Sequence, residues 1–175
     1  MPIRLLIDGY NLIGAYGLMR NKNLEGERKG LIKKLCEYKK LKKIDITVVF
    51  DGLRSNNDIE SRERMDSILI IYSRIGESAD DLIKKIVKSQ GSAEGFVIVT
   101  SDREISSFCS GYNATVVSSG EFKDRLEMAS VLQDKDIGDE EEDESFSPRI
   151  NTKKKGNPRR LSKTERQRIS KLKKL

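Results

Sequence analysis

Along the chain, short apolar blocks alternate with longer amphipathic stretches. Ile3-Arg4-Leu5-Leu6-Ile7 runs into Asp8-Gly9, and Ile46-Thr47-Val48-Val49-Phe50 runs into Asp51-Gly52. Ile68 to Tyr72, Phe96 to Val99 and Ala114 to Val117 complete a set of five. Blocks of this length, rich in Val, Ile and Leu and bounded by polar residues or Gly, read as strands buried on both faces. Between them the apolar positions switch to helical spacing. Residues 24–42 place Leu24, Arg28, Leu31, Ile32, Leu35 and Leu41 along one stripe, with Asn23 as N-cap. Residues 79–90, 103–110 and Glu121 to about Leu132 supply further helices. The polar stretch from Arg54 to Asp66 reads as a loop. This alternation predicts an α/β domain over residues 1–133. Its expected form is a three-layer sandwich around a mainly parallel five-stranded, Rossmann-like sheet.

Charge divides the rest of the chain. Residues 1–133 hold 21 Lys/Arg against 19 Asp/Glu and are nearly neutral, whereas residues 134–148 hold one Lys and eight acids. Residues 149–175 hold twelve Lys/Arg and one Glu. Residues 134–158 therefore read as an acidic, disordered linker, because the charge run from Asp134 to Glu144, with no apolar residue beyond Ile137, cannot form a core. Over 159–175 the pattern recovers order. Ser162-Lys163-Thr164-Glu165 is a capping-box pattern, followed by Ile169 and Leu172 at helical spacing. A helix this short is marginal alone in water. Arg159, Arg160, Lys163, Arg166 and Arg168 make this tail a surface for a polyanion, RNA being the expected partner. The plainer reading is a solvated basic tail with no specific partner. Its few apolar residues make membrane insertion weak.

The chain has no histidine, which removes His-based nucleophile triads, His general bases and nitrogen-ligated metal sites. A metal here must be held by oxygen, and oxygen donors select Mg²⁺ or Mn²⁺. Cys36 and Cys109 show no paired spacing, so neither a disulfide framework nor a zinc site is expected, and a reducing cytoplasm is the expected home. No GxGxxG follows a strand and no Walker A motif occurs, so no organic cofactor is expected.

Three predicted strands end in an aspartate: Asp8, Asp51 and Asp102. In an open parallel sheet the carboxyl ends of the strands share one rim, where ligands bind. Asp80, at the start of the 79–90 helix, is a fourth candidate. At ~100° per residue it lies on the shoulder of the apolar stripe formed by Ala79, Leu82, Ile83, Ile86 and Val87, while Asp81 points away from it. Clustered carboxylates repel one another unless a cation lies between them. Asp8, Asp80 and Asp102, with Asp51 beside them, are therefore the candidate ligands of a divalent metal that hydrolyses a phosphate ester. Asp-Gly after a strand is also ordinary turn chemistry, and for Asp51 the two readings stand side by side. Asn11 and Ser101 are candidates to orient ligands or water, and Thr100, Arg54 and Arg103 to hold substrate. Each arginine is equally a surface charge.

These residues resemble a known family. Asp8-Gly9-Tyr10-Asn11-Leu12-Ile13 is similar to the signature that opens NYN domains, of the PIN-like nuclease superfamily. Arg28 with Leu31 and Leu35, Val48 to Gly52, Glu77-Ser78-Ala79-Asp80 and Thr100-Ser101-Asp102 resemble the bacterial YacP-like branch, over roughly residues 1–133. The resemblance implies a metal-dependent endoribonuclease, with ribosome-associated mRNA cleavage known in the branch. It also implies a pocket formed by Asp8, Asp80 and Asp102, with Asn11, Asp51 and Ser101 close by. The linker and tail fall outside the resemblance. The main rival is a non-catalytic RNA- or ribosome-binding protein on the same fold. A phosphatase with Asp8 as nucleophile lacks the expected second Asp, since Tyr10 stands there. A receiver domain lacks its paired acids and late Lys.

Overall fold

The computed structural model describes residues 3–17, 23–52, 59–135 and 163–175. In chain order they form β1 (Arg4–Asp8), α1 (Gly9–Ala15), α2 (Leu24–Lys42), β2 (Asp45–Phe50), β3 (Ser61–Met65) and β4 (Ile68–Tyr72). There follow α3 (Ala79–Ser89), β5 (Phe96–Val99), α4 (Arg103–Gly111), β6 (Thr115–Val117), α5 (Ser119–Lys135) and α6 (Lys163–Leu172). One sheet runs β3-β4-β2-β1-β5-β6, parallel throughout except for the β3–β4 pair.

Side-chain alternation along the strands makes the two cores. Leu5 and Ile7 of β1 join Val48 and Phe50 of β2 and Val97 and Val99 of β5 beneath α1, α2 and α5. Leu6, Val49 and Ile98 face the other way, under α3 and α4. Helices on both faces are what a parallel sheet requires, since each strand must bury both of its surfaces. The sandwich is thus the expected three-layer α/β fold.

Three features depart from the sequence expectations. The sheet has six strands, not five, because part of the polar 54–66 stretch is β3, an antiparallel edge. Asp66 and Ser67, both at positive φ (45° and 71°), form the two-residue turn into β4, with Met65 opposite Ile68. An edge strand in which Arg62, Glu63 and Arg64 are all exposed carries no apolar signal. Directly after Asp8, moreover, the chain enters a helix, α1, that is not among the helices expected from the spacing. Leu41, expected on the buried stripe of α2, is exposed, whereas Tyr38 is buried and meets Phe122 edge-on at 5.5 Å.

The tail helix is not free. Leu172 packs on the α1/α2/α5 core, and Leu175 is 3% exposed within it. Arg125 donates from Nη1 to the Leu172 carbonyl at 2.9 Å, and the Tyr38 hydroxyl donates to the Leu175 carbonyl. α5 continues to Lys135, past its expected end. The remainder of the expected linker, residues 136–158, lies outside the described residues, as does Ser162 of the capping-box pattern.

Candidate active site

Asp8 ends β1 and caps α1, its Oδ1 accepting the Asn11 amide at 3.1 Å. The glycine after it is a packing requirement. A Cβ on Gly9 would stand 2.3 Å from the Phe50 ring, and one on Gly52, after Asp51, 1.6 Å from the Ser73 carbonyl oxygen. Asp102, three residues past the end of β5, caps α4: its Oδ1 accepts the Glu104 and Ile105 amides at 2.7 and 3.0 Å. Asp80 stands in the first turn of α3. As the helical face requires, Asp80 is half-buried, while Asp81 is exposed and completes a capping box with Ser78.

The electrostatics tie the three acids together. Asp8 is 5% exposed, and burial pushes its carboxyl up to about 6, with the charges of Asp80 and Asp102 pushing the same way. Burial also raises the Asp80 carboxyl, followed by the charge of Asp102, while Lys84 counters the shift. Lys84, one turn along α3, pairs with Glu104 of α4 beside these acids. Among the described residues, no three acidic or sulfur side chains are drawn tightly enough to enclose an ion as they stand. The donor set nonetheless suits a hard divalent cation. It is all oxygen, mutually repelling and centred on a buried carboxylate.

Asn11 binds the rim together. Its Oδ1 accepts the Ser101 amide at 2.9 Å and the Ser119 hydroxyl at 2.9 Å, while Ser101 Oγ accepts the Ser119 amide at 3.1 Å. The β1–α1, β5–α4 and β6–α5 junctions thereby share one side chain. Ser119 is 1% exposed and was not among the sequence candidates. Its only signal is a pair of serines ahead of an apolar-periodic segment, a common helix start.

The other candidates divide. Thr100, expected to touch substrate, is 1% exposed, and its Oγ1 accepts the Asp102 amide at 3.1 Å, so it braces the turn from behind. Ser101 and Arg103 are exposed at the rim. Asp51 is half-buried at the end of β2, one strand from Asp8 on the side away from Asp102. Arg54, Arg159 and Arg160 lie outside the described residues, and Lys163 begins α6. Arg166 and Arg168 are exposed on α6. Arg168 and Lys171 line a groove with Glu94, Asn113 and Ala114, which precede β5 and β6. The described part of the tail therefore sits at the amino ends of the strands, opposite the acids. No helix among the described residues is long and apolar enough to cross a membrane.

Comparison with known proteins agrees with this architecture. The model of the YacP-like NYN domain matches residues 5–174, a span that includes the tail helix. The uncharacterized protein YacP of Bacillus subtilis is 30% identical over 102 residues, which cover 56% of this chain. The match spans 59% of that relative's length. Two crystal structures of Rae1 (YacP) from Bacillus subtilis, one of them a point mutant, align with TM-scores of 0.62 and 0.63 at 26% identity. The alignments cover 78% and 77% of this chain and 80% and 81% of those chains.

Proposed function

Because the chain belongs to the YacP-like NYN domain family, and so to the PIN-like nucleases, we propose that it is a divalent-metal-dependent endoribonuclease. The observation that carries this reading is the carboxyl of Asp8. It is buried and lifted to about 6 by desolvation and by two neighbouring acids, on the rim where parallel sheets bind ligands. Capping α1 occupies Asp8 Oδ1, and the charges that bear on the carboxylate are those of two other acids, Asp80 and Asp102. Asp8, Asp80 and Asp102 would hold Mg²⁺ or Mn²⁺, with Asp51 one strand away. When bound, the ion supplies Lewis acidity toward a phosphodiester and lowers the pKa of a water.

The protein's own contribution is placement. The caps on α1 and α4 fix the Asp8 and Asp102 carboxylates, and the bonds of Asn11 fix the Ser101 backbone beside them. The exposed hydroxyl side of Ser101 and the guanidinium of Arg103 stand where substrate phosphates would approach. Lys84 tempers the negative charge at Asp80. On the opposite rim, Arg166 and Arg168 add sequence-independent phosphate contacts. Such an arrangement suits an RNA long enough to reach both poles, as on a ribosome. Two buried, unpaired cysteines suit a cytoplasmic setting. The test is substitution: Asp8→Asn and Asp80→Asn should each abolish metal-dependent RNA cleavage with the fold intact. Undiminished cleavage by both would overturn the assignment. RNA binding by the wild type with no cleavage under any divalent metal would favour a non-catalytic binding protein.

A further inference from the structure

An aromatic ladder leads away from the acids toward an arginine the nuclease reading leaves unused. Tyr10 stands two residues after Asp8 and meets Phe50 edge-on at 5.2 Å, and Phe50 stacks on Tyr72 at 5.8 Å. The guanidinium of Arg28, in the second turn of α2, lies 5.7 Å from the Tyr72 ring centre. These residues share the acid rim. Phe50 pairs with Tyr72 in register, and Asp8 pairs with Val49, so Tyr72 is one residue beyond the level of Asp8. It is two strands from β1, or roughly 10 Å.

Arg28 is held at Tyr72 by a side-chain hydrogen bond, and its charge also acts on the Glu25 carboxylate. Among the described residues it enters no ion pair, and its buried Nε–H has no hydrogen-bond partner. The nearby Glu25 is engaged by Lys29 at 2.7 Å. A half-buried guanidinium with a donor unspent is costly unless something accepts from it. Here it borders an open groove whose other charged lining residues are Glu25, Lys29 and Glu63, with Ile70 and Tyr72 beside them. Glu63 stands on β3 opposite Ile70, so an anion enters at the Tyr72 end of the groove, where Arg28 is seated. Arginine's planar fork matches phosphate oxygens, and its stacking on an aromatic ring removes the entropy cost of holding it ready.

We propose that Arg28, seated on Tyr72, forms a phosphate-binding subsite for the backbone of single-stranded RNA, flanking the carboxylate pocket along the Tyr10–Phe50–Tyr72 ladder. The subsite rests on the nuclease reading in its choice of ligand, and it is tested by binding rather than turnover. The probe is a 2′-O-methyl RNA oligonucleotide, which resists cleavage, titrated with the full chain by fluorescence anisotropy over a series of salt concentrations. Arg28→Gln should bind roughly tenfold more weakly at low salt, the loss of one charge-assisted contact. Its plot of log affinity against log salt should be shallower by about 0.7, one phosphate contact on a single strand. Arg28→Lys keeps the slope while losing several-fold in affinity, because a point charge replaces a fork. Thermal melts of both variants accompany the titrations. A purely structural Arg28 would lower the melting temperature and leave the slope alone, and that result overturns the subsite. Where Arg28→Gln does not fold, the lysine variant decides, and wild-type affinity in it overturns the subsite. Metal-dependent cleavage together with an unchanged slope removes the subsite and leaves the nuclease standing. No RNA binding by the wild type removes both.

Discussion

Asn11 and Ser119, 108 residues apart in sequence, are joined by a 2.9 Å hydrogen bond in which the buried hydroxyl donates to the amide oxygen. The same oxygen accepts the Ser101 amide, so one short side chain closes the β1, β5 and β6 junctions around the acids.

Removing that acceptor leaves two donors without their partner. Asn11→Ala should cost about 1–3 kcal/mol, most of it from the buried Ser119 hydroxyl. Ser119→Ala, which removes one donor and keeps Asn11 bonded to Ser101, should cost about 1 kcal/mol or less. Urea unfolding of the two variants measures the difference. Equal costs would mean that neither the orphaned Ser119 hydroxyl nor the lost Ser101 contact carries a penalty.

The Asp8 carboxyl makes stability depend on pH in an unusual direction. In the folded chain burial holds it at about 6, against 3.8 when solvated. Between these values the folded state carries a proton that the unfolded state has lost, so this group's contribution rises as pH falls from above 6 to below 3.8. The gap corresponds to roughly 3 kcal/mol. In metal-free buffer Asp8→Asn should therefore be more stable than the wild type at pH 7, and should lose this part of the pH dependence. Denaturant melts at pH 4, 5, 6 and 7 check it. A variant with the wild-type pH slope would show that the carboxyl is ordinary.

The docked tail predicts a cost for truncation. Burial of a leucine contributes about 1.5–3 kcal/mol, and Leu175 lies within the core while Tyr38 donates to its carbonyl. A chain ending at residue 162 should melt roughly 4–8 °C lower than the full chain. Identical melting temperatures would mean that the helix does not hold to the body in solution.

Much of this was legible from the residues, for identifiable reasons. Strands buried on both faces leave continuous Val/Ile/Leu runs, so β1, β2, β4, β5 and β6 could be read directly. Aspartates at their ends follow from topology alone, and the shoulder position of Asp80 from helical geometry. What escaped notice had no one-dimensional signal. β3 is an edge strand with charged side chains, turned by Asp66-Ser67 rather than the usual Asn-Gly. Thr100 looks like a rim residue until its hydroxyl is seen turned back to the Asp102 amide. Ser119 and Lys84 act through partners 108 and 20 residues away, a relation that no spacing rule reaches. The tail's basic charge suggested a free arm, and only Leu172 and Leu175, three apart, hint that one side of it is buried.

The most direct test is cleavage of an end-labelled, mixed-sequence RNA by the full chain in Mn²⁺, Mg²⁺ or EDTA, with Asp80→Asn alongside. The carboxylate pocket predicts cutting in Mn²⁺ or Mg²⁺, none in EDTA, and a loss of at least a hundredfold in the variant, about 2.7 kcal/mol of barrier. Cutting that persists in EDTA, or that Asp80→Asn performs at the wild-type rate, would contradict the account.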